Sequence, residues 1–156
     1  MKKITLFITA LMIFNVSFAQ DEQTEELKMM QEIFGDEKKM IIEQNVDLTG
    51  VDGNAFWKLY DEYEKSRQEI GQAKMELLQK YTMKQGALTN QQAKDLLAEA
   101  VPLRTGEDKL ILNFTKRIEK ATNALVSVQF YQIEHYISDG IRFSILNNID
   151  FIQDKM

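Results

Sequence analysis

Residues 50–84, GVDGNAFWKLYDEYEKSRQEIGQAKMELLQKYTMK, decide the fold of this chain. Apolar side chains recur in this stretch at steps of three, four and seven residues, which places them along one side of a helix. They are Phe56, Leu59 or Tyr60, Tyr63, Ile70, Leu77 and Tyr81. Asp61, Glu62 and Glu64 are assigned to the solvated side, so we predict an amphipathic helix of about 30 residues, or ~45 Å. Such a helix needs partner helices along its length.

A second long helix is predicted to open at Leu88 and Thr89, after the break at Gln85-Gly86-Ala87. Thr89 is placed as an N-cap that accepts from the backbone of Gln92, whose side chain reaches back to Thr89. The apolar pattern continues to Ala121 through Pro102, where a helix should kink or break. One helix kinked at Pro102 is preferred to two helices, because the apolar spacing stays in phase across the proline.

The rest of the chain is also predicted to be helical. Ser127 is assigned as the cap of a last helix whose apolar face carries Phe130, Ile133, Ile137 and Ile141. Residues 20–47 are expected to be a weakly ordered helical region that Gly35-Asp36 interrupts, and residues 153–156 a frayed tail. Strand signals are absent from the sequence. We therefore predict an all-α fold, a helical hairpin or bundle, with its core in residues 48–152.

The N-terminus resembles a secretion signal. Lys2 and Lys3 precede an apolar run from Ile4 to Val16, and Ser17-Phe18-Ala19 offers a small-residue cleavage site. We predict cleavage after Ala19, which leaves residues 20–156 as a single domain in the periplasm. The apolar run is shorter than the roughly 20 residues of a membrane span, so no membrane insertion is expected after cleavage.

Composition argues against several classes of function. The chain has 19 Lys and Arg against 24 Asp and Glu, and loss of Lys2 and Lys3 makes the net charge 17 − 24 = −7. Nucleic acid is a poor partner for such a balance. There is no cysteine, and His135 is the only histidine, so thiol chemistry and imidazole metal sites lack ligands. We predict no enzyme activity, no metal and no cofactor.

LTNQQ and LTGVD resemble the motif of the Spy/CpxP family of periplasmic helical proteins, which carries two L-T-x-x-Q motifs, each opening a long helix. LTNQQ at residues 88–92 matches the motif, and LTGVD at residues 48–52 is a degenerate copy with Asp in place of Gln. AFWKLYDEYE at residues 55–64 and FYQIE at residues 130–134 resemble segments of related secreted proteins. The helix-capping motif residues are Leu48, Thr49 and Asp52 in the first copy and Leu88, Thr89 and Gln92 in the second. Thr49 and Thr89 are the predicted caps, and Asp52 can cap its helix itself.

The resemblance spans residues 48–152 and implies a helical hairpin, often a curved antiparallel homodimer, that binds unfolded envelope proteins without ATP. Some members of the family instead inhibit a sensor kinase or sense metal. Pro102 and Asp52 are departures from the family pattern. A homodimer is also expected because a helix of about 30 residues leaves apolar surface that one hairpin covers only in part.

Two functions follow as hypotheses. The first is a holdase, a chaperone of the envelope stress response that binds unfolded or partly folded envelope proteins. Its candidate client-binding residues are the aromatic side chains Phe56, Trp57, Tyr60, Tyr63, Phe130 and Tyr131. The alternative is an envelope-stress adaptor that binds one specific partner, such as a sensor-kinase domain.

Overall fold

The computed structural model describes residues 37–82 and 88–147, and these residues form four α-helices without a strand. They are α1 (37–45), α2 (Gly53–Thr82), α3 (Asn90–Ala121) and α4 (Ala124–Asn147). The all-α prediction is confirmed. The predictions on the signal peptide, on the break at Gly35-Asp36 and on the C-terminal tail concern residues outside the described ranges.

Asp52, and not Thr49, caps the start of α2. The Asp52 carboxylate accepts a hydrogen bond from the Ala55 amide at 3.0 Å, and the Asp52 carbonyl accepts from Phe56 at 3.2 Å. Thr49 lies in the preceding turn, where its amide donates to Asp47 Oδ1 at 2.9 Å. Gly50 has a φ of +75°, a conformation that glycine tolerates, and it separates Thr49 from the helix. The predicted Thr49 cap is therefore wrong.

The capping box of α3 lies where the sequence places it. The Gln92 amide donates to Thr89 Oγ1 at 3.3 Å, and the Thr89 amide donates to Gln92 Oε1 at 2.9 Å. The helix then runs through Pro102 to Ala121 as one element. Of the two alternatives, one helix and not two is found, in keeping with the apolar spacing that stays in phase across the proline.

Asn123 caps α4, so the prediction of Ser127 as the cap is wrong. Asn123 Oδ1 accepts from the Val126 amide at 2.9 Å, as an N-cap does. Ser127 lies inside the first turn, is buried, and donates its hydroxyl to the Ala124 carbonyl at 2.9 Å. The connection from α3 is only two residues long, which places the cap earlier than the apolar pattern suggested.

Helices α2 and α3 run antiparallel, as three ion pairs along them show. The pairs are Glu62–Arg117, Lys74–Glu107 and Lys80–Glu99, so residue numbers rise on one helix as they fall on the other. α4 turns back along α3, and α1 packs against the start of α2. The buried core consequently lies at one end of the bundle, where α2 begins, α3 ends and α4 begins. It comprises Ile42, Val46, Phe56, Tyr60, Tyr63, Ile111, Phe114, Ile118, Val126 and Phe130.

Candidate functional site

Four of the six predicted client-binding residues are core residues. Phe56, Tyr60, Tyr63 and Phe130 are each at most 1% exposed, and the Tyr63 and Phe130 rings meet edge to face at 5.1 Å. They cannot contact a client in this fold, so their assignment to an exposed surface is wrong. The physical reason is the antiparallel packing, which turns the aromatic start of α2 inward against α3 and α4.

Trp57 and Tyr131 are more accessible than the other four. Trp57 is half-buried, its ring packs edge-on against Tyr60 at 5.5 Å, and the Lys39 ammonium lies 5.2 Å from it. Tyr131 is exposed, and its ring lies 4.4 Å from that of His135. The structure does not bring Trp57 and Tyr131 together with the other four into one exposed surface.

A buried ionic cluster, formed by Lys38, Glu64, Arg67 and Glu134, joins three helices. Lys38 is 1% exposed and its ammonium contacts both Glu64 and Glu134 Oε2, the latter at 2.6 Å. Arg67 Nε donates to Glu64 at 3.0 to 3.1 Å. The ammonium of Lys38 also lies 4.8 Å from the centre of the Tyr63 ring. The cluster thereby ties α1 to both α2 and α4.

The two carboxylates of this cluster are in different electrostatic environments. Burial raises the pKa of Glu134, and the Lys38 charge offsets this only in part. Burial also acts to raise the pKa of Glu64, but attraction to Lys38 and then Arg67 outweighs it and lowers that pKa. The pKa of Tyr63 is raised by burial and then by the Glu134 charge. Glu134 is therefore the less favourably ionised carboxyl of the pair.

Two polar atoms, one within the cluster and one beside it, have no hydrogen-bond partner within the described part of the chain. They are the Tyr60 hydroxyl and Glu134 Oε1, and both are buried. The Tyr60 hydroxyl is still close enough to feel charge, because burial and then Glu64 raise its pKa. The burial of these two atoms suits the fixing of helix positions better than catalysis.

Sequence reasoning missed this cluster and placed Glu64 on a solvated face. A signal was present: Glu134 falls four residues after Phe130 and three before Ile137, inside the apolar face of α4. A carboxylate at such a position is buried, and a buried charge requires a partner. The partner Lys38 could not be identified, because it comes from a helix whose position the sequence did not define.

A second polar group centres on Glu107 and joins α2, α3 and α4 beyond the apolar core. The Glu107 carboxylate, nearly buried, contacts Lys74 Nζ at 2.5 Å and accepts from Ser138 at 3.5 Å, and Arg142 lies 4.0 Å away. These contacts lie beyond the aromatic core, toward the C-terminal end of α2. Their arrangement is that of a structural network.

The side of α4 that faces away from the core is also apolar. We define the outer face of α4 as five side chains that are 58 to 68% exposed: Leu125, Val128, Tyr136, Phe143 and Leu146. At 100° per residue they fall within about 80° of the helix circumference. The buried residues Val126, Phe130 and Ile137 lie on the opposite side. An apolar stripe on both sides of a helix is typical of an element that has a partner on each side.

Other chemistry is sparse in the residues that the structure describes. Within 37–82 and 88–147, no three His, Cys, Asp or Glu side chains are grouped as a metal site would need. Over the same ranges, none of the helices has the length and apolar character to cross a membrane. We therefore take the outer face of α4 as the candidate binding site.

No protein-family model, curated protein or solved structure matches this chain. The resemblance to Spy/CpxP proteins accordingly rests on the residues of the motifs themselves. Of the two motif copies, the second forms a capping box through Thr89 and Gln92, whereas the first acts through Asp52 alone.

Proposed function

We propose that this protein is an ATP-independent holdase of a bacterial envelope, which captures exposed apolar segments of unfolded or partly folded proteins. The observation that carries the proposal is the outer face of α4, an apolar stripe left uncovered on a small helical scaffold. The site is an exposed face of a helix, which suits clients that share apolar character and little else.

The size of the face fits weak and reversible capture. Taking about 200 Å² for each large side chain when fully exposed, the five residues offer on the order of 600 Å². At roughly 25 cal/mol per Å² the gross gain is about 15 kcal/mol, from which association and ordering costs of similar size are subtracted. A small net affinity remains, which lets a client leave and fold.

The location and assembly of the protein belong to the same proposal. Residues 1–19 act as a signal peptide, the mature chain works in the periplasm, and it forms a homodimer. The Spy/CpxP resemblance adds a curved hairpin, and Pro102 adds a kink in α3. The net charge of −7 expected after cleavage keeps protein and bound client in solution by mutual repulsion.

The proposal is tested by light scattering of a chemically denatured client, without ATP. The wild-type protein should slow aggregation at several-fold molar excess, and the double variant Leu125→Gln/Phe143→Gln should lose most of that effect. The matched control is Leu97→Gln/Leu112→Gln, which removes two exposed leucines of α3 and should retain the effect. Circular dichroism must show each variant folded.

Two results would count against a holdase. The holdase proposal would fail if the wild type protected none of several unrelated clients from aggregation. It would also fail if the two double variants lost the same amount of protection. Recovery of one saturable partner from an envelope extract, together with inactivity toward clients, would instead favour the adaptor that recognises a single protein.

A further inference from the structure

The outer face of α4 is nearly symmetric about a point between His135 and Tyr136. Leu125 and Leu146 are equally distant from this point along the helix, and so are Val128 and Phe143. The two polar residues on the same side of the helix, Gln132 and Asp139, are equally distant as well. A stripe with this symmetry is complementary to a second copy of itself in the opposite direction.

We infer that α4 docks through its outer face on the same face of a second copy of the chain, antiparallel and about a two-fold axis beside His135 and Tyr136. In such a pair, residues equally distant from the axis stand at the same level in adjoining positions, as in an antiparallel coiled coil. Leu125 meets Leu146 of the second copy, and Val128 meets Phe143 of the second copy. Tyr136 lies beside Tyr136 of the second copy at the axis.

The two polar residues of this side of α4, Gln132 and Asp139, are also complementary to those of the second copy in the same register. Gln132 stands opposite Asp139 of the second copy, so its side-chain amide can donate to that carboxylate, and the symmetry makes this contact twice. Asp139 already pairs with Arg142 of its own helix at 3.0 Å, and a carboxylate has capacity for both donors. A shift of register would instead bring Asp139 against an apolar side chain.

The area available agrees with a dimer of moderate affinity. Roughly 600 Å² per copy amounts to about 1,200 Å² in total, which is the lower limit of specific protein interfaces. The dimer would hold the face covered at high concentration and release it on dilution. A client that binds this face would then compete with the second copy.

The inference rests on the homodimer of the proposed function and adds its interface, and self-association is measured without a client. Sedimentation equilibrium of the purified protein from about 1 to 100 μM should show a monomer–dimer equilibrium. Phe143→Gln should weaken the dimer at least tenfold, whereas the control Leu97→Gln, an equally exposed site on α3, should leave the dissociation constant unchanged.

Charge substitutions at Gln132 test the register. Gln132→Glu places a negative charge opposite Asp139 of the second copy and should weaken the dimer about tenfold, and Gln132→Lys should strengthen it. The control pair Gln68→Glu and Gln68→Lys changes net charge equally at an exposed position of α2 and should have little effect. Equal shifts at both positions would indicate a general charge effect and overturn the register.

Engineered cysteines test the direction, since the chain has none of its own. Tyr136→Cys should form a disulfide-linked dimer under mild oxidation, and so should an equimolar mixture of Val128→Cys and Phe143→Cys. Val128→Cys alone should not, because its two copies lie about 22 Å apart along the antiparallel helices, beyond the ~7 Å that a disulfide spans. Efficient linkage of Val128→Cys alone would show a parallel pair and overturn the inference.

A protein that stays monomeric at 100 μM would also overturn the inference. Alkylation of the Tyr136→Cys variant would then show whether the outer face of α4 is accessible. Protection of the thiol would show that another part of the same chain covers the face, and free reaction would show an open face. The holdase proposal is separate, because client scattering is measured whether or not the dimer forms.

Discussion

The Tyr63 hydroxyl donates a 2.6 Å hydrogen bond to Glu134 Oε2 and thereby joins α2 to α4 inside the core, between residues 71 positions apart. Tyr60, one turn earlier on α2, is buried beside it but its hydroxyl has no hydrogen-bond partner among the described residues. These two buried tyrosines of one helix differ in the hydrogen bonding of the hydroxyl, the group that a Tyr→Phe substitution removes, and this makes them a matched pair for mutation.

Tyr63→Phe should lower the free energy of unfolding by about 1.5 to 3 kcal/mol, because it removes a hydrogen bond to a buried charged group. Tyr60→Phe should change it by less than about 0.5 kcal/mol or stabilise the protein, because the lost hydroxyl is desolvated without a partner. Urea denaturation followed by circular dichroism measures both. Equal losses in the two variants would contradict the geometry of the core.

Lys38→Met should destabilise the protein by roughly 3 to 5 kcal/mol, because it leaves Glu134 buried without its cation. Adding Glu134→Gln to Lys38→Met should recover a large part of this loss, since the uncompensated charge is gone. Lys39→Met is the control, a neighbouring exposed lysine whose loss should cost at most about 1 kcal/mol. If Lys38→Met and Lys39→Met were equally mild, α1 would not be tied to the bundle through this cluster.

The stability of wild type relative to Glu134→Gln should fall as pH rises above about 4.5, the ordinary value for the carboxyl. The sign follows from linkage: the pKa of Glu134 is raised in the folded state, so the folded protein binds this proton more tightly than the unfolded chain does. The groups facing Glu134 are Lys38 on α1 and Tyr63 and Glu64 on α2. Urea midpoints of wild type and Glu134→Gln between pH 4 and 8 measure the difference in stability. A difference that stays constant with pH would refute the prediction.

Comparison of wild type with Glu64→Gln should show the opposite dependence of stability on pH. The pKa of Glu64 is lowered in the folded state, so the stability that its ionised form contributes is present above about 4.5 and is lost as the pH falls through the lowered value. The advantage of wild type over Glu64→Gln should therefore shrink in acid. Parallel behaviour of the Glu64 and Glu134 variants would show that both carboxyls are in the same environment.

Thr89→Ala should destabilise the fold by about 1 kcal/mol, because Thr89 accepts the Gln92 amide in the capping box of α3. Asp52→Ala should cost a similar amount at the start of α2, where Asp52 accepts the Ala55 amide. Thr49→Ala should cost less than about 0.5 kcal/mol, because Thr49 contacts Asp47 in an exposed turn and does not cap the helix. Denaturant midpoints of the three variants decide which residue caps α2.

Much of the fold followed from local patterns. The spacing of Phe56, Tyr63 and Ile70 predicted α2 to within three residues at its start, and the Thr89–Gln92 box predicted the start of α3. The candidate site was predicted less well. The same aromatic residues that marked α2 as amphipathic were taken for an exposed surface, and packing against α3 and α4 made them the core.

The sequence by itself determined the helices, because their spacing and caps depend on contacts within about four residues of the chain. Tertiary structure decided which surfaces are buried. Lys38 meets Glu64 across 26 residues only because α1 lies against α2 and α4. α4 is apolar on two sides, and only the packing of its neighbours determines that Phe130 is covered and Phe143 is exposed. Periodicity fixes a side chain's angle around its own helix, whereas burial depends on the positions of other helices.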